Sequence, residues 1–135
     1  MYSANAHVDL AIDTNEFHSG TRSLSITFDG QNPQDAGILQ LIPVIPNTQY
    51  EFTAAYRTEE LVTASGPRFS IADAYTNAPY FLSDDLMGTS PWRLEQAQFR
   101  TGPDTNLLLL RITRQPAGPL IKGRMWIDDL KLVKK

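Results

Sequence analysis

Polar and apolar side chains alternate along most of this chain. In Ser23-Leu24-Ser25-Ile26-Thr27-Phe28 the period is two, the pattern of a strand with one face in a core and the other in water. The turn formers His18-Ser19-Gly20-Thr21 precede it and Asp29-Gly30 follows. Residues 38–44 form a second run, in which Pro43 marks an edge or a strand end because proline cannot donate to the ladder. After the turn Pro46-Asn47-Thr48, residues 50–57 give the clearest strand. Tyr50, Phe52, Ala54 and Tyr56 share one face, and Glu51, Thr53, Ala55 and Arg57 the other. Residues 68–73 are a shorter strand. Residues 92–100 form another: Ala97 and Phe99 point one way, Trp92 and Leu94 the other, so a bulge is expected near Gln96. Residues 107–114 carry four consecutive leucines, and residues 124–132 close the pattern with a phase slip at Asp128-Asp129.

No segment offers apolar positions at helical spacing over ten residues. Eight or nine short strands between Gly, Pro and Asn turns predict an all-β fold, a two-sheet antiparallel β-sandwich. The irregular stretch 74–91 is the one long loop, and long loops in compact domains often carry function. No linker or repeat divides the chain, so residues 1–135 read as a single domain.

Composition narrows the function. Twelve basic against fifteen acidic residues give a net charge of −3, which argues against a nucleic-acid binder, since those carry a basic stripe. No cysteine is present, which excludes disulfides and thiolate metal sites. No apolar run approaches the ~20 residues of a membrane span. Met1 to Ala6 lacks the regions of a signal peptide and reads as the cut edge of a longer exported chain.

Catalytic motifs are missing. The two histidines, His7 and His18, lie near no nucleophile elbow, and His18 reads as a solvated turn residue. They are too few for a zinc site, and no phosphate loop or dinucleotide fingerprint occurs. Glycoside hydrolysis needs two carboxyl groups ~5 to ~10 Å apart across a cleft. Asp84-Asp85 and Asp128-Asp129 are adjacent pairs; neighbouring strand residues point to opposite faces, so the second pair cannot act together unless a bulge turns one of them, and capping of local backbone N–H groups is its simpler role. The chain is expected not to be an enzyme.

The pieces occur in a telling order: Ser19-Gly20-x-x-Ser23-Leu24, Pro46-Asn47-Thr48-x-Tyr50-x-Phe52, Trp92 through Phe99, and Gly123-x-x-Trp126-Ile127-Asp128-Asp129-Leu130-x-Leu132. From His18 to Leu132 this resembles the carbohydrate-binding modules of the family 4 and 9 type, which are galactose-binding-domain-like jelly rolls. The resemblance implies a non-catalytic glycan-binding accessory module of a bacterial exported or envelope protein. Its partner would be a polysaccharide or oligosaccharide, acidic ones included, and the isolated domain would be a monomer outside the cytoplasm. The alternative is a protein-interaction or spacer domain in a repeat-containing envelope protein, because such jelly rolls serve those roles too. Arg111-x-x-Arg114 with Trp126 also looks like domains attached to bacterial repeat proteins of exopolysaccharide export. One departure concerns metal: the family's opening Asn-Gly-x-Phe-Glu strand, which helps hold a structural calcium, is not matched by Asn15-Glu16-Phe17. No cofactor and no metal ligand is therefore assigned; a structural calcium at Asp128 stays open, without the support of that opening motif.

Parity then sorts the surface. With Tyr50, Phe52, Phe69, Ile71, Leu108, Leu110, Ile112, Met125 and Ile127 inward, the opposite faces carry Arg57, Arg68, Arg111, Arg124 and Trp126. In one reading Trp126 is a platform for a sugar ring and the arginines bind hydroxyl or carboxylate groups. In the other, a loop or the N-terminal segment covers Trp126 and the arginines pair with Glu51 and nearby acids. If the closing strand neighbours residues 50–57 or 107–114, the indole would share a surface with Arg57 or Arg111. Tyr75, Tyr80 and Phe81 form a second candidate cluster, either a ligand clamp or a satellite core.

Overall fold

A computed structural model describes residues 8–30, 35–114 and 120–135; Met1 to Ala6, read above as a cut edge, lie outside them. The described residues form nine strands: β1 (Val8–Asp13), β2 (Ser23–Asp29), β3 (Asp35–Pro43), β4 (Gln49–Thr63), β5 (Pro67–Asp73), β6 (Pro79–Leu82), β7 (Gly88–Arg100), β8 (Leu107–Arg114) and β9 (Ile121–Lys134). They make two antiparallel sheets, one ordered β1-β2-β9-β4-β7 and the other β3-β8-β5-β6. This is the expected β-sandwich, and none of the described residues is helical.

The core lies between the sheets, where alternate residues from both inner faces interdigitate. Ile26, Phe28, Phe52, Met125 and Ile127 meet Phe69, Ile71, Leu108, Leu110 and Ile112 there. The inward set expected from parity is therefore the core. Pro43 ends β3, an edge strand of the smaller sheet.

Several local expectations need correction. Register between β4 and β7 runs unbroken from Gln49 opposite Arg100 to Tyr56 opposite Arg93, so no bulge lies at Gln96. Trp92 and Leu94 simply face outward. The slip comes later, between Tyr56 and Thr58, opposite the segment holding Pro91, whose missing N–H interrupts the ladder. The stretch 74–91 is not all loop, for it contains β6 and the start of β7. Nor are all strands short: β4 has 15 residues and β9 has 14.

The expected slip at the aspartate pair is present. Thr53 faces Lys131 and Ala55 faces Asp128, so β9 holds one extra residue there, and Asp129 takes a φ of 52°. A second irregularity lies where Glu59 faces Arg124 and Val62 faces Lys122. Here Gly123 has a φ of 129°, and a Cβ on it would stand 2.3 Å from the Glu60 carbonyl oxygen. Only glycine fits that close crossing of β4 and β9.

Candidate ligand-binding face

The outer face of the five-stranded sheet gathers most of the chain's chemistry. Register sets Ser25 of β2, Trp126 of β9 and Arg57 of β4 side by side, with Trp92 of the edge strand β7 beyond. Trp126 points away from the core, as parity predicts. The Arg57 and Arg124 guanidinium carbons each lie 4.8 Å from its ring centroid, a distance at which cation and indole face attract.

This indole is no open platform, for it is only 2% exposed. The segment leaving β1 folds over it. Trp126 Nε1–H donates to Asp13 Oδ2 at 2.9 Å, and Arg124 Nη2 reaches the same oxygen at 3.4 Å. Three residues on, the arrangement repeats: Trp92 Nε1–H donates to Glu16 Oε1 at 2.7 Å while Arg57 Nη1 lies 2.9 Å from Glu16 Oε2. Asp13 Oδ1 also accepts the backbone N–H groups of Asn15 and Glu16, which curls the segment into a turn. At the far end, His18 and Ser19 backbone N–H groups donate to Asp128 Oδ2, each at 3.0 Å. His18 Nδ1 lies 2.7 Å from Asp129 Oδ2, Ser19 Oγ–H donates to Asp129, and the His18 ring is tilted against Trp92. Residues 13–19 thus form a strap held at both ends. Its bonds hold two carboxyl groups below their ordinary range: Asp13 chiefly through the Trp126 indole, Asp129 chiefly through His18.

Beside the strap the same face opens into a cleft of about 680 Å³. Thr27, Glu59, Thr89, Lys122 and Arg124 supply polar groups and Val62 an apolar patch. Hydroxyl, carboxylate, ammonium and guanidinium groups on one lining match the donors and acceptors of a polyhydroxylated ligand.

The remaining candidates are elsewhere. Arg111 and Arg68 belong to the four-stranded sheet, on the opposite side of the sandwich, so neither shares a surface with Trp126. The shared surface expected for Trp126 is made with Arg57 alone of the two arginines proposed, because β9 pairs with β4 and not with β8. Arg68 donates to the Ser83 carbonyl oxygen and lies 4.0 Å from Asp85. The loop aromatics separate. Phe81 packs on Phe52 in the core, and Tyr80 Oη lies 2.6 Å from Thr105 Oγ1 and accepts the Gly102 N–H. Tyr75 is 78% exposed and stands apart, so no three-ring clamp exists. Glu51 partners Gln96, Gln98 and Lys135 rather than the arginines. His18 is exposed as expected, yet its contacts make it an anchor and not merely a solvated turn residue.

Sequence reasoning missed Trp92, Asp13 and Glu16. The parity of Trp92 is the one available signal, because an unbroken phase through β7 turns its indole outward. Among the described residues no three His, Asp or Glu side chains converge as a metal site would require.

No protein-family model and no curated protein matches this sequence. Solved structures do. A structure described as CBM4 superposes with a TM-score of 0.66 over 96% of this chain and 81% of its own, at 11% identity. The CBM22-1 xylan-binding domain from Paenibacillus barcinonensis Xyn10C gives a TM-score of 0.61 at 16% identity, covering 98% of this chain and 85% of that one. A family 16 carbohydrate-binding module gives 0.61 at 18% identity, covering 92% and 84%. The chain therefore has the fold of carbohydrate-binding modules.

Proposed function

We propose that this chain is a non-catalytic glycan-binding module whose ligand lies across the outer face of its five-stranded sheet. One observation carries the reading: an open cleft on that face brings Thr27, Glu59, Thr89, Lys122 and Arg124 around Val62. Such a lining can bond vicinal hydroxyl groups from several sides while the apolar patch takes the face of a ring. The shared fold supports it, since one relative in fold is a xylan-binding domain and another was determined with β-1,4-galactotriose. A non-catalytic role fits the same lining, whose two carboxylates, Glu59 and Glu60, are sequence neighbours on β4 and not a pair carried on opposite walls of a cleft as a glycosidase needs. Polysaccharides are chiefly extracellular polymers, so an exported or envelope-associated parent protein fits this reading.

Titration calorimetry against soluble xylan, β-1,4-glucan and β-1,4-galactan oligosaccharides tests it. Weak, saturable binding to at least one glycan is expected, and Glu59→Ala should weaken it about tenfold, the effect of one lost charged hydrogen bond. Failure of every glycan to bind would transfer the argument to the alternative, an interaction or spacer domain.

A further inference from the structure

The strap deepens the glycan reading and rests on it. Two sites of the same construction stand one beyond the other on the outer face, each pairing an indole N–H with a guanidinium. Trp126 and Arg124 hold the Asp13 carboxylate, and Trp92 and Arg57 hold the Glu16 carboxylate. Both tryptophans of the chain are used in this way. Charge-assisted bonds to a carboxylate are strong and directional, and a guanidinium suits that anion better than a neutral hydroxyl. Trp126 and Arg57 are partners across adjacent strands, with Trp92 on the next, so the two carboxylate positions are about one to two strand spacings apart, ~5 to ~10 Å. That separation is comparable with one pyranose residue. Arg124 also lines the open cleft, which makes the Asp13 site continuous with it.

We propose that these are carboxylate subsites for a uronic-acid-containing glycan, and that Asp13 and Glu16 occupy them until such a strand displaces the strap. The neutral part of the ligand lies in the cleft, and its uronate groups exchange with the strap's own carboxylates. Exchange of one carboxylate for another conserves the bonds to each indole and guanidinium, so affinity is limited mainly by release of the strap. Release also uncovers the indoles, which makes intrinsic fluorescence a direct reporter of the exchange.

The experiment titrates wild type and Glu16→Gln with oligogalacturonate, a neutral xylo-oligosaccharide and a sulfated glycan of equal length. Calorimetry and tryptophan emission are read in parallel. In Glu16→Gln, oligogalacturonate should bind about five- to tenfold more tightly than to wild type, with a saturable emission change in both proteins. Neutral-glycan affinity should be unchanged. Asp13→Asn is a second variant, in which a melting scan separates loss of the turn from release of the subsite. Neutral binding with no gain for oligogalacturonate overturns the subsites and leaves the glycan module standing. Equal gains for all three ligands, or a preference that follows charge alone and favours the sulfated glycan, overturn the subsites as well. Absence of binding by any glycan removes both readings.

Discussion

Trp126 illustrates how a side chain on the solvent side of a sheet becomes structural. Two guanidiniums lie over its ring, its N–H carries a carboxylate, and almost no surface is left to water. Truncation would remove that packing and leave Asp13, Arg57 and Arg124 without their shared partner. Trp126→Ala should therefore destabilise the domain by about 3 kcal/mol, in the range of large aromatic truncations. A thermal or urea unfolding curve measures this directly. A variant as stable as wild type would mean that the strap contributes nothing to the resting fold. Parity placed Trp126, Arg57 and Arg124 on the outer side, so that half of the site was legible in the sequence. Its cover was not, because Asp13 is 113 positions from Trp126 and Glu16 is 76 from Trp92; they reach the two indoles only through the turn that Asp13 itself nucleates.

At the level of elements, the strap joins β1 to β2 and is tied to the bulge of β9. Two of its ties pass through carboxyl groups held below their ordinary range, Asp13 by Trp126 and Asp129 by His18 and Ser19. A group whose folded pKa is depressed stabilises the fold above its unfolded value and loses that contribution as pH falls through the folded one. Acidification below pH ~4 should therefore loosen the strap and lower stability. Glu95, raised by burial and by Asp84, acts in the opposite sense and softens the decline. Tryptophan emission and melting temperature followed from pH 7 to pH 2 check this, and the Asp13→Asn variant should show a flatter profile. A wild-type profile flat to pH 2 would contradict it. The strands themselves were largely legible, since alternation reads out burial directly. β6 was not, because its four residues are too few to show a period. An outward tryptophan mimics a break of phase in β7, whereas the register first slips between Arg93 and Ser90, at Pro91.

For the whole molecule, the sandwich follows from the alternation, but the pairing order of the strands does not. Arg57 and Arg111 looked equivalent on paper, both outward and both on strands of the right length. Sheet order separates them: β4 lies beside β9, while β8 sits in the other sheet between β3 and β5. Contacts between strands distant in sequence decide this, and no local pattern encodes them. The cleft was invisible for the same reason, because Thr27, Glu59, Thr89 and Lys122 come from four strands and meet only once the five-stranded sheet is assembled. The central claim is that a glycan occupies this cleft. An amide chemical-shift titration with a soluble oligosaccharide that binds in calorimetry tests it most directly. The account predicts saturable shifts at Thr27, Glu59, Thr89, Lys122 and Arg124, with the outer face of β8 around Arg111 unmoved. Shifts confined to the four-stranded sheet, or none at all, would contradict it.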